Sequence, residues 1–398
     1  MHALVIVQQL LRTRCPHIHA SRLTVLLAAV GAAVRGRRLT LTELGRSLVS
    51  TARVKHNIKR IDRLLGNRHL AAERTGVYRA LAHRVLGTRR EPVILVDWSD
   101  LTADRRWQLL RAALPVGGRA LTLYEETHAL RHLAHPRVHR AFLARLQALL
   151  PEGVKPILIT DAGFRAPWFK SVNRLGWHWI GRIRNRTYLR PQDAALWAGC
   201  KTLHARARPR PQALGAYDVV RSNPVTCRLY LVKRPKRHRV HKSVFGQPVR
   251  SAHSLKQARA QREPWLLAAS PSLASRTPSQ IVNLYATRMQ IEEAFRDLKC
   301  TRYGLGFELH LSRSRERLAA LLLIAALAFY TLWLIGSQAL ARGLLAHYQS
   351  NTRRSRPALC LFNLAAQLIR HATNQLLPRA LPYLDLPSAS PPPLQITL

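Results

Sequence analysis

The sequence is short of acid. It has 20 Asp and Glu against 64 Lys and Arg in 398 residues, a formal charge of +44. Self-repulsion of that size destabilises a compact chain unless a polyanion screens it, and Arg and Lys are the usual phosphate contacts. Nucleic acid is the partner this balance implies. The preference for Arg over Lys suits phosphate forks, although a GC-rich genome would also enrich Arg. Cysteine is scarce too. Cys15, Cys200, Cys227, Cys300 and Cys360 form no CxxC pair and no zinc spacing, and their odd number argues against a secreted disulfide scaffold. There is no internal repeat. The N-terminal MHALVIVQQLLRTRC lacks a basic n-region and a small-residue cleavage site, so it does not read as a signal peptide. A cytoplasmic, DNA-associated protein is expected.

Long apolar runs are also few. One, Leu318–Gly336, has 19 residues without charge and approaches a membrane span. With 47% hydrophobic residues the chain can bury a helix of that kind in a large core, and no membrane partner is expected.

The remaining pattern is mixed. Residues 1–85 read as a helical N-terminal region, with helices over Leu23–Ala32, around Leu44 and Leu48 behind Thr40 and Thr42, and over Val54–Leu65. Lys55, Lys59, Arg60 and Arg63 make the last of these a basic helix, which reads equally as a phosphate-backbone contact or as a solvated face. From 86 to 184 the order is strand (Pro92–Asp97), two strands from Trp107 and Ala120 joined through Gly117-Gly118, helix (139–150), strand (155–160), helix (166–176) and strand (177–184). This predicts a mixed α/β sheet. Residues 185–264 read as a basic insertion, strand-rich or loop-rich, separate from that sheet and including PKRHRVHK at 235–242. WLLAAS from Trp265 is a strand returning to the core, and Ser279–Lys299 is one long helix. The core's second part spans 265–310, a C-terminal helical region 311–377, and a Pro-rich tail 378–398.

Two acids stand out. Asp97 ends an apolar strand and Asp161 directly follows another, and strand C-terminal ends form the default ligand edge of an α/β sheet. Glu292, on the later helix, could complete a set of oxygen ligands for a hard divalent ion. Two such ions about 4 Å apart would activate a water or hydroxyl and stabilise the leaving oxygen of a phosphodiester. The plainer reading of each Asp is a cap or turn residue. His128, His132, His135 and His139 follow H-x3-H-x2-H-x3-H, which reads as surface or packing histidine, and Trp98 and Trp107 read as packing.

The helix carries a further pattern. Tyr285, Arg288, Glu292 and Lys299 follow Y-x2-R-x3-E-x6-K. This resembles the YREK signature of the IS-four family of bacterial insertion-sequence transposases, which includes the Tn-five and Tn-ten enzymes. The strand ending in Asp97, the stretch TDAGFR at 160–165 and the WLL at Trp265 resemble further family elements in the same order. The resemblance covers roughly residues 50–340. It implies an RNase H-like catalytic core interrupted by a β-rich insertion, with Asp97, Asp161 and Glu292 as the DDE carboxylates holding two Mg²⁺ (or Mn²⁺). It implies that Tyr285, Arg288 and Lys299 contact DNA phosphates, with Arg182 near the site, and that Trp265 stacks on a flipped base. Glu293, turned about 100° round the helix, would stand behind the site or face solvent. The implied reaction is nicking at transposon ends, usually through a hairpin, followed by strand transfer into target DNA. The implied partners are double-stranded inverted-repeat ends and target DNA, bound by a homodimer. An RNase H-like nuclease without strand transfer, or a non-catalytic DNA-binding derivative, fits the same carboxylates less fully.

Overall fold

The computed structural model describes residues 2–235, 247–249, 251–252, 255, 263–350, 352 and 357–374. The basic stretch 236–242 and the tail from 378 lie outside the described residues.

Five helices come first: α1 (His2–Arg14), α2 (Ala20–Gly36), α3 (Leu41–Arg46), α4 (Val54–Leu65) and α5 (Arg68–Leu86). Thr40 starts α3, its hydroxyl accepting from the Glu43 N–H at 3.2 Å, as an N-cap should. Then follow β1 (Val93–Asp100), β2 (Trp107–Pro115) and β3 (Ala120–Ala129). Gly117 and Gly118 both take positive φ (66° and 88°), which a two-residue hairpin turn demands. Next come α6 (Pro136–Leu149), β4 (Ile157–Thr160), α7 (Ala166–Arg174) and β5 (His178–Ile183).

β1 to β5 stand in the order β3-β2-β1-β4-β5, with β4 parallel to β1 and β5 and with β2 antiparallel to both neighbours. This is an α/β fold whose mixed sheet is that of an RNase H-like core. The insertion supplies β6 (Tyr188–Pro191), β7 (Ala198–Gly199), β8 (Gln212–Val219) and β9 (Val225–Val232). It is β-rich as expected, but it is not separate. β10 (Trp265–Ala269) lies antiparallel between β5 and β9, so all ten strands form one sheet ending β5-β10-β9-β8-β6-β7. The reason lies in β10, whose apolar run is buried on both sides and pairs with a strand on each.

The long helix expected over Ser279–Lys299 is two: α8 (Pro278–Ala286) and α9 (Met289–Lys299). At the joint the backbone tightens to i→i+3 bonds, from Thr287 N to Leu284 O and from Arg288 N to Tyr285 O, while the Thr287 hydroxyl also donates to Leu284 O at 2.6 Å. A threonine hydroxyl competing for a helical carbonyl is a known source of bends.

α10 (Arg315–Ala341) contains the apolar run and packs against α1, α2, α4, α5, β3 and α12 (Leu361–Asn374); the short α11 is Leu345–Tyr348. It is long and apolar enough to cross a membrane, but its apolar window is buried by the protein itself. The buried side chains, from Ala3 in α1 to Ile369 in α12, form one continuous apolar cluster.

Candidate active site

The site forms where β1 outruns β4. Leu95 pairs with Ile159, and two further steps bring Asp97 level with Asp161, just past the end of β4. Neighbouring strands lie about 4.8 Å apart, so the two carboxylates share one notch. Asp97 does not end its strand, as the apolar run suggested. β1 continues to Asp100 and is paired there with β2 alone, Asp97 lying opposite Arg111.

Alternation along β1 sorts its side chains. Asp97 and Ser99 face α8 and α9, where Arg288 and Lys299 meet them, while Trp98 faces α6. Asp97 Oδ1 accepts from the Trp98 N–H at 2.8 Å, and Asp161 Oδ1 accepts from the Gly163 N–H at 2.8 Å. Arg288 Nη1 lies 3.4 Å from Asp97 Oδ2, and its Nη2 lies 2.6 Å from Glu292 Oε1. One guanidinium thus ties the strand carboxylate to the helix carboxylate.

Burial, then the charge of Asp161, pushes the Asp97 carboxyl up to about 7; Arg288 and the Trp98 N–H pull it down, and Glu292 adds a smaller upward push. Burial opposes charge on Arg288, but Tyr285, Glu292 and Asp97 outweigh it and hold the group firmly protonated. The Asp97 side chain is 14% exposed, so these charges act with weak solvent screening.

Asp161 and Glu292 therefore both act on Asp97. Among the described residues, though, no three His, Cys, Asp or Glu side chains close into a metal-binding group. The cage expected from the sequence is open because Arg288 stands between Asp97 and Glu292. By chemistry the donors suit Mg²⁺ or Mn²⁺, being carboxylates only, one of them the half-buried Asp97, which favours a nearby cation.

The other expected residues take distinct places. Lys299 Nζ donates to Ser99 Oγ at 3.0 Å, and burial lowers its pKa. Tyr285 is 3% exposed, its ring edge-on to Trp265 at 5.1 Å, and burial raises its pKa. Trp265 is half-buried with the Arg234 guanidinium 5.0 Å above its ring. Arg182, on β5, is half-buried; its Nε has no hydrogen-bond partner among the described residues, and burial pulls its pKa down to about 10. Glu293 pairs behind the site with Arg119 at 3.5 Å and with Arg296. Trp107 donates from Nε1 to Arg313 O, which fits a packing role.

Several supports were not read from the sequence. Arg111 and Glu125 form a buried pair (Nη2 to Oε2, 2.6 Å), with the Tyr78 hydroxyl donating to Glu125 and the Phe295 ring of α9 5.1 Å from the guanidinium. Gln290 Oε1 accepts from the Val116 and Gly118 N–H groups, both at 3.1 Å, and Arg119 pairs with Asp297 at 2.5 Å. Together they clamp the β2–β3 turn to α9. Opposite charges inside two apolar strand runs were the available signal for Arg111 and Glu125.

Comparison with curated proteins returns no match. Residues 88–330, more than half of the chain and inclusive of Asp97, Asp161 and all of α8 and α9, match the family model described as Transposase DDE domain. With its α/β core and these acids at one strand edge, the chain belongs to the DDE-domain transposase family.

Proposed function

We propose that the protein is a cut-and-paste DNA transposase of the IS-four type, using Asp97, Asp161 and Glu292 as its DDE carboxylates. The observation that carries this reading is the strand-edge meeting of Asp97 with Asp161, with Glu292 linked to Asp97 through Arg288. Divalent ions held by these three side chains would supply an activated water or hydroxyl and charge neutralisation at the scissile phosphate. The chain's own residues orient the DNA. Arg288 exchanges its carboxylate partners for a phosphate of the cleaved strand, to which its planar fork is suited. Lys299, drawn toward β1 by Ser99, holds a second phosphate. Tyr285 supports both from beneath and contacts phosphate through its hydroxyl once DNA uncovers it. Arg182 offers an anion its Nε–H, which has no partner among the described residues. Trp265 receives a flipped base, displacing the Arg234 guanidinium from its ring.

The N-terminal helices hold the duplex. α4 and α2 frame a cavity of about 470 Å³ lined by Arg22, His56, Lys59, Arg60 and Arg63. Lys59, Arg60 and Arg63 have no carboxylate partner among the described residues, the neighbouring Asp62 being held by Arg317, so their charge is available to phosphates. A dimer would bring two ends together for strand transfer. The test is nicking and joining of a donor bearing the element's own inverted repeats. Metal-dependent nicking and joining are expected, and Asp97→Ala, Asp161→Ala and Glu292→Ala should each abolish both while DNA binding persists. Nicking without joining would instead mark a nuclease, and retained cleavage in any variant would remove that residue from the site.

A further inference from the structure

We propose that His139 is a positioning residue that locks the Asp97 strand to the Asp161 turn. The inference rests on the catalytic reading of those two aspartates. The four clustered histidines have separate fates. His128 Nε2 bonds Glu126 Oε2 at 2.8 Å, His135 caps α6 by accepting from the Arg137 N–H, and His132 is half-buried with its ring 6.4 Å from that of His128.

His139 is different. It is 4% exposed on α6, and the Trp98 indole N–H lies 3.0 Å from its Nε2. An indole N–H only donates, so Nε2 must accept and the neutral ring carries its proton on Nδ1. The ring stacks on Phe164 at 5.0 Å and meets Trp168 edge-on at 5.1 Å. Trp98 follows Asp97, and Phe164 stands three residues after Asp161. Leu95 and Ile159 are the last paired positions of β1 and β4, so the ladder stops before either aspartate. His139 spans the gap on the opposite face of the sheet, bonded to the neighbour of one aspartate and stacked on the turn of the other. Burial holds its pKa down to about 4, so the acceptor stays available at neutral pH.

His139→Phe keeps a ring against Phe164 but removes the acceptor. His139→Gln keeps an acceptor near the same place. Trp98→Phe removes the donor. Metal-dependent nicking should fall about tenfold or more in kcat for His139→Phe and Trp98→Phe, with KM for DNA unchanged, and His139→Gln should restore most of it. Hydrogen exchange in 96–99 and 161–165 should quicken together in His139→Phe and Trp98→Phe, and less in His139→Gln. Wild-type rates and exchange in His139→Phe, or equal damage from His139→Gln, would overturn the proposal and leave a packing residue. If the wild type nicks no DNA, the catalytic reading fails by itself, and the exchange comparison still decides whether His139 joins the two segments.

Discussion

At the scale of the residue, Asp97 is the most informative group. Its carboxyl is raised from the usual range to about 7, by burial and by Asp161. The folded protein therefore holds a proton that the unfolded chain releases near pH 4. That contribution to stability is full below about pH 4 and fades as pH rises through about 7. Without divalent ions, Asp97→Asn should raise the thermal midpoint relative to wild type at pH 8 and leave it little changed at pH 4, as scanning calorimetry would record. Added Mg²⁺ should stabilise the wild type at pH 8 and the variant much less. The buried Arg111–Glu125 pair gives a second expectation. Arg111→Met alone strands a buried carboxylate and should cost about 3–5 kcal/mol in urea unfolding, whereas pairing it with Glu125→Leu should recover much of the loss. Asp97 and Asp161 were legible in the sequence because each borders a local apolar run. Arg111 was not, because its partner is set by strand register, which a linear reading does not contain.

Elements decide how rigidly these residues meet. The tight joint at Thr287–Arg288 divides the carrier of the YREK residues, with Tyr285 on α8 and Glu292 and Lys299 on α9. The 3.6-residue spacing was readable, but the bend was not, because it arises from a side-chain hydroxyl competing for a carbonyl. α9 is then clamped to the β2–β3 turn by Gln290 and Asp297. Gln290→Leu leaves the Gly118 N–H without its acceptor and the Val116 N–H with Arg119 O alone. It should lower nicking about tenfold, as lost supporting contacts to a metal site commonly do, and quicken hydrogen exchange at 116–119. The insertion was readable only as a segment of weak periodicity, and its place in the core sheet depends on β10, which lies more than thirty residues from β9 in the chain.

For the whole molecule, charge and core size set the outcome. A formal +44 calls for a polyanion, and Lys59, Arg60 and Arg63 of α4 form no ion pair among the described residues, since Asp62 of the same helix is held by Arg317 at 2.6 Å. Replacing these three with Gln should weaken DNA binding across sequences and flatten the plot of log K against log salt by about three. Equal slopes would show that α4 does not carry the duplex. The 27-residue α10 explains why a near-membrane-length run belongs to this protein: it is the strut that N-terminal helices, sheet edge and C-terminal helix all pack against. The most direct test of the central claim is anomalous diffraction from crystals of the protein with end DNA and Mn²⁺. Peaks should lie about 2 Å from carboxylate oxygens of Asp97, Asp161 and Glu292, with Arg288 turned to phosphate. A DNA-bound structure with no metal there and Arg288 still bridging Asp97 and Glu292 would contradict it.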